Sequence, residues 1–136
     1  MAHNILGIDF GSRRIGLAVS VDGLPPRRLM ALPNDENIIE SVRHQIVAQA
    51  AGVVVIGLPR NLDGDETAQT AAVRAFADRL RTSASGAAIY MQDEALTSEV
   101  ARERLNDQIG PREEGRVDQE AAVIILEDYI RGTQTS

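Results

Sequence analysis

Cysteine is absent from the chain, which rules out a disulfide framework, a thiolate metal site and a cysteine nucleophile. Intracellular residence is the default that follows. Lysine is absent too: all 14 basic residues are arginine, so any phosphate contact would be made by a guanidinium fork able to bind bidentately. Genomic codon bias is the plainer cause of that absence. Aromatics are scarce, two Phe and two Tyr with no Trp, leaving few platforms on which single-stranded bases could stack. Long apolar runs are missing as well. The longest, around Gly52 to Leu58, is far too short to span a bilayer, and no basic stretch followed by an apolar one opens the chain. A cytoplasmic protein with no membrane partner is expected. With a formal charge of −6 and a pI near 4.9, bulk electrostatics do not favour a phosphate backbone, so any nucleic-acid contact must be local.

What is present is enough chain, 136 residues, for one domain with a substantial core. Two apolar runs, Ile5 to Phe10 and Ile15 to Ser20, flank the polar interval Gly11-Ser12-Arg13-Arg14 and predict a hairpin. Asp22-Gly23-Leu24-Pro25-Pro26 is a turn by composition, and Arg28 to Leu32 predicts a third strand. From Glu36 the apolar period becomes helical, through Ile38, Ile39, Val42, Ile46, Val47 and Ala50, with Gly52 as the stop. Val53 to Leu58 is continuously apolar, as in a parallel strand covered on both faces. A turn over 59–65, a helix over 66–82 and a strand over 87–91 follow. Thr97 or Ser98 can cap a further helix with Val100, Ala101 and Leu105 inside. Residues 106–116 read as a loop, and a well-buried last helix starts near Asp118, leaving a frayed tail from Gly132. Three antiparallel strands followed by alternating helices and strands predict an α/β fold: a five-stranded mixed sheet, its last two strands parallel, with helices on both faces.

In that topology the carboxyl ends of the first, fourth and fifth strands share one edge, where open α/β sheets bind ligands. Asp9 lies inside the first run, Asp93-Glu94 follow the fifth strand, and Asp118 opens the last helix. Each has a plain explanation. Asp9 could accept backbone N–H bonds from the turn, Asp93 and Glu94 could be solvated, and Asp118 could favour a helix N-terminus. Together they repel one another, and hard cations with oxygen ligands are the usual resolution. Two ions about 4 Å apart can stabilise both the attacking and the leaving oxygen of a phosphoryl displacement. Metal-dependent phosphodiester hydrolysis is the sharp expectation. His3 and His44 look like terminal and surface residues, so no histidine base is expected.

GIDFGSRRIGLAVS, VVIGLPRNLDGDE, the acidic DEALTS and GRVDQEAAVIILEDYI occur in that order nearly end to end. In these four motifs the chain resembles the YqgF family, the RuvX-type Holliday junction resolvases and pre-16S rRNA nucleases with an RNase H-like fold. The resemblance implies one RNase H-like domain over 1–131 and a tail over 132–136. It implies a triad of Asp9, Glu94 and Asp118 binding Mg2+ or Mn2+, two ions in number, with Asp93 a secondary acceptor or helix cap. Ser12, Arg14, Pro59, Asn61, Gly64 and Arg116 are the expected substrate contacts. For Arg14 a phosphate contact and an ion pair bracing the hairpin both stay open. For the segment Gly57 to Gly64, a phosphate-cradling loop stands beside a turn shaped only by Pro59 and Gly64. The family's acidic motif continues Asp-Glu-Arg, and here Ala95 replaces the arginine; Arg60, Arg112 or Arg116 are the candidates to stand in.

The implied function is a metal-dependent nuclease processing the 5′ end of pre-16S rRNA, with structured RNA as partner. The alternative is a resolvase acting on branched four-way DNA, which would need a symmetric homodimer rather than a monomer. A non-catalytic nucleic-acid binder is a third reading. A nucleotide-binding module of the actin and Hsp70 type, suggested by Asp9-Phe10-Gly11-Ser12, is a fourth. That superfamily needs two copies of the core, and this chain has room for one.

Overall fold

The computed structural model describes residues 4–60, 63–83, 86–94 and 115–134. Five strands, β1 (Asn4–Phe10), β2 (Arg14–Ser20), β3 (Arg27–Pro33), β4 (Ala51–Pro59) and β5 (Ala88–Glu94), form one sheet in the order β3-β2-β1-β4-β5. β1, β2 and β3 pair antiparallel, while β4 pairs parallel with both β1 and β5, as the sequence predicts. Three helices are described: α1 (Ile38–Ala48), α2 (Ala68–Thr82) and α3 (Arg116–Gln134).

Strand alternation sorts side chains between the two faces. Leu6, Ile8, Ile15, Leu17, Val54, Ile56 and Leu58 point to one side and pack with Ile38, Val42 and Ile46 of α1 and Val73, Phe76 and Leu80 of α2. Ala18 and Val55 point to the other, against Ala122, Val123, Ile125 and Leu126 of α3. Complete burial of each Leu or Ile here contributes about 1.5–3 kcal/mol of transfer free energy. Both faces are therefore covered by helix, which accounts for the unbroken apolar run of β4.

Several boundaries differ from the sequence expectation. α1 is stopped not by Gly52 but by Ala50, which takes a left-handed φ of 52° just after the C-cap Gln49. Gly52 already lies inside β4. β5 runs on past Met91 through Asp93 and Glu94, so both acids are strand residues. α2 starts at Ala68 because Thr67 and Thr70 cap each other's backbone N–H groups reciprocally. α3 begins at Arg116, two residues before Asp118, which places Arg116 on the helix rather than in a loop. The helix continues to Gln134, past the expected start of the tail. The helix expected from Thr97 or Ser98, the loop over 106–114, Ala95 and Arg112 lie outside the described residues.

Candidate active site

Asp9 is the next-to-last residue of β1, paired across the ladder with Gly16 of β2. Alternation from Gly7 puts the Asp9 carboxylate on the α3 face, and α3 crosses β2 directly above Gly16. A Cβ on Gly16 would stand 2.0 Å from the carbonyl oxygen of Asp118. Only glycine admits that approach, and it brings the first turn of α3 down to the strand end. The consequence is electrostatic. Burial, and after it the charge of Asp118, push the Asp9 carboxyl up to about 7.

Asp118 is half-buried and accepts a hydrogen bond from Arg14 Nε at 3.1 Å on its Oδ2. Glu94 shares the α3 face, since it pairs with Pro59 of β4 in register with Gly57 and Gln92 below. Its Oε1 is buried. β4 separates Glu94 from Asp9, so their strand axes are about 10 Å apart. On that face β4 offers Gly57, where Ile125 Cδ1 occupies the space a side chain would take. Asp9 and Asp118 are thus brought together and Glu94 is placed across β4 from them. Among the described residues no group of three or more acids and histidines is close enough to hold an ion as it stands.

Asp93 belongs to the opposite face. It pairs with Leu58, whose side chain is in the α1 and α2 core, and accepts from Arg60 Nε at 3.1 Å. Arg60 is also 3.6 Å from Glu66 Oε2, which Arg74 holds at 2.7 Å, and Arg60 Nη1 donates to Gly64 O at 3.3 Å. This network closes the β4–α2 turn and commits Arg60 to carboxylates on the α2 side.

Of the expected substrate contacts, Ser12 is exposed in the hairpin turn, and Pro59 ends β4 with its carbonyl accepting from Thr70 Oγ1 at 2.5 Å. Gly64 is exposed with φ 82°, and Arg116 is half-buried at the head of α3. Asn61 lies outside the described residues, as does His3, while His44 is exposed. Two residues at this edge were not anticipated. Asn34 Nδ2 donates to Gly11 O at 2.7 Å, and Gln69 Nε2 donates to Phe10 O at 2.9 Å, pinning the two consecutive carbonyls that follow Asp9. The glycines at 7, 16 and 57 were readable, because glycine inside a strand marks a close approach of other backbone.

A five-stranded mixed sheet with acids at the carboxyl edge defines an RNase H-like protein. Thermus thermophilus RuvC in complex with a Holliday junction has the same fold, with a TM-score of 0.62 at 18% identity over 96% of both chains. Residues 3–132 match the RuvX family, described as Holliday junction resolvase, and the chain belongs to that family. Relatives provisionally named pre-16S rRNA nuclease include one from Anaeromyxobacter sp. (strain Fw109-5), 38% identical over 93% of this chain and 96% of that one. Another, from Thermus thermophilus, is 35% identical over 90% of this chain and 93% of that one. No helix among the described residues is long and apolar enough to cross a membrane.

Proposed function

We propose that this chain is a metal-dependent nuclease of cytoplasmic RNA, acting on the 5′ leader of pre-16S rRNA, with Asp9, Glu94 and Asp118 as its metal ligands. One observation carries the reading: α3, seated on Gly16, sets Asp118 over the buried Asp9, whose carboxyl is pushed up to about 7 by burial first and by the charge of Asp118 second. A fold does not keep such a costly pair for stability, and a divalent cation relieves it. The donor set fits the ion. Three carboxylates, with no sulfur and no imidazole ligand beside them among the described residues, suit Mg2+ or Mn2+.

Two ions bound there would supply Lewis-acid stabilisation of the scissile phosphate and a water of lowered pKa. The chain's own part is to fix the ligands. Gly16 sets the height of Asp118 above Asp9, the β4–β5 register sets Glu94, and the Asn34 and Gln69 clamps hold the turn after Asp9. Ser12, Pro59, Asn61, Gly64 and Arg116 would line the approach of the phosphate backbone. The names of the relatives support RNA as substrate. The family description supports a four-way DNA junction as the second reading, which requires a symmetric dimer to place paired cuts.

The test offers purified protein a labelled pre-16S 5′ leader and a four-way DNA junction, with Mg2+, Mn2+ or EDTA, beside Asp118→Asn. Cleavage is expected to need metal and to fall about 1,000-fold in the variant, the equivalent of roughly 4 kcal/mol of transition-state stabilisation. Cleavage that survives EDTA, or a variant as active as wild type, refutes the reading. The faster substrate decides between RNA and DNA.

A further inference from the structure

Arg14 heads β2, on the face that carries Gly16 and Ala18, and its side chain runs beneath the start of α3. Its Cδ passes 4.0 Å from where a Cβ on Gly115 would be, and Gly115, with φ 87°, is the residue that turns the chain into the helix. One turn further on, Nε meets Asp118 Oδ2 at 3.1 Å, joining residues 104 apart in sequence.

Helix stability does not explain this placement. The N-terminal end of a helix carries a partial positive charge, which already favours Asp118 and disfavours a cation beside it. Nor does the ion pair hold the fold together, since side chains 37% and 20% exposed form a screened pair that adds little. What the contact does is fix one oxygen of a carboxylate that could otherwise rotate about its χ angles. The guanidinium is suited to this, because Nε is a rigid, directional donor that an ammonium lacks.

We propose that Arg14 is a positioning residue that orients the Asp118 carboxylate for cation binding, and that it is not a contact to the phosphate backbone. The inference rests on Asp118 being a metal ligand. In metal sites generally, the groups that hydrogen-bond a ligand set its orientation, and losing one weakens the metal about 10–100-fold.

The experiment is a calorimetric Mn2+ titration of the metal-free protein, for wild type, Arg14→Gln and Arg14→Lys, with kcat and KM measured on the leader RNA. Arg14→Gln is expected to weaken Mn2+ about 10–100-fold and to lower kcat, with KM for RNA within about twofold of wild type. Arg14→Lys keeps the charge without the Nε donor, and is expected to leave the Mn2+ affinity equally low. Unchanged or tighter Mn2+ binding in Arg14→Gln overturns the inference alone, and a KM raised tenfold or so with unchanged Mn2+ affinity makes Arg14 a phosphate contact. A wild-type protein that binds no Mn2+ overturns the metal reading and this inference with it.

Discussion

On one face of the sheet, β1, β2 and β4 present Leu6, Ile8, Ile15, Leu17, Ile56 and Leu58 to α1 and α2. On the other, the same three strands present Gly7, Gly16 and Gly57 to α3, each so close that a Cβ would stand 2.5 Å or less from a helix atom. The first face is filled by side chains that meet in the middle. The second has small residues and glycines beneath the helix, whose own Ile125 and Leu126 side chains fill the space over Gly57 and Gly7, and this is the face that carries Asp9, Glu94 and Asp118. A layer of large side chains can repack when one of them shrinks, whereas a helix lying on glycine moves as a body when anything is inserted beneath it. Most of the large buried side chains therefore lie on one face, and the geometry of the carboxylates depends on the other.

The largest effect is expected on the α1 and α2 face. Leu80 is completely buried there, and Leu80→Ala should cost about 2–5 kcal/mol in urea denaturation while kcat per folded molecule stays near wild type. Gly16→Ala should do the reverse. The overlap with the Asp118 carbonyl costs about 1–3 kcal/mol, and a displacement of about 1 Å in α3 lowers kcat about 100-fold. If Leu80→Ala abolished turnover in folded protein, or Gly16→Ala left kcat intact, the division between faces would be wrong.

Asp9 sharpens the comparison through pH. Its carboxyl titrates near 7 in the folded chain against a usual 3.8. Below both values the acid is neutral in either state and burial costs nothing extra. As pH rises between them, the unfolded chain ionises first and holds fewer protons, so the metal-free protein loses stability up to about pH 7. Asp9→Asn has the same shape and no charge. Its stability advantage over wild type in EDTA should grow from about pH 4 to about pH 7 and then level off. Excess Mn2+ should reverse it, because cation binding stabilises only the form with the ionised ligand. A difference that stays flat with pH would show that Asp9 is not the strained group of this face.

The reading from sequence reached some of this and missed the rest for identifiable reasons. The hairpin of β1 and β2, the covered run of β4 and the buried last helix were legible, because each is written in local periodicity. Glu94 was expected beyond its strand, since acids are poor strand formers, and only pairing with Pro59 carries β5 that far. Ala50 was hidden for a similar reason: nothing in an alanine announces a left-handed φ, and Gly52 was the more obvious stop. At the candidate site the acids could be placed at one sheet edge from the element order, and their spacing could not. The contact between Arg14 and Asp118 spans 104 positions, and no local pattern in the sequence brings those two residues together. The sorting of Asp93 and Glu94 to opposite faces follows from alternation, once both are known to lie in a strand.

The smallest predicted effect concerns the seam between the two faces. Asn34 follows β3 and meets the hairpin turn twice: its backbone N donates to Arg13 O at 2.9 Å and its side chain to Gly11 O at 2.7 Å. Asn34→Ala keeps the first bond and removes the second, leaving a half-buried carbonyl to find water. A cost of about 1 kcal/mol is expected in thermal or urea unfolding. The effect on the site should be smaller than that of Gly16→Ala, because the turn is also fixed by the Gly11 N to Arg14 O bond at 3.0 Å and by Gln69 on Phe10 O. If Asn34→Ala instead lowered kcat as much as Gly16→Ala, the turn would be part of the machinery that sets Asp9. The carboxylate geometry would then depend on the strand end as much as on the helix above it.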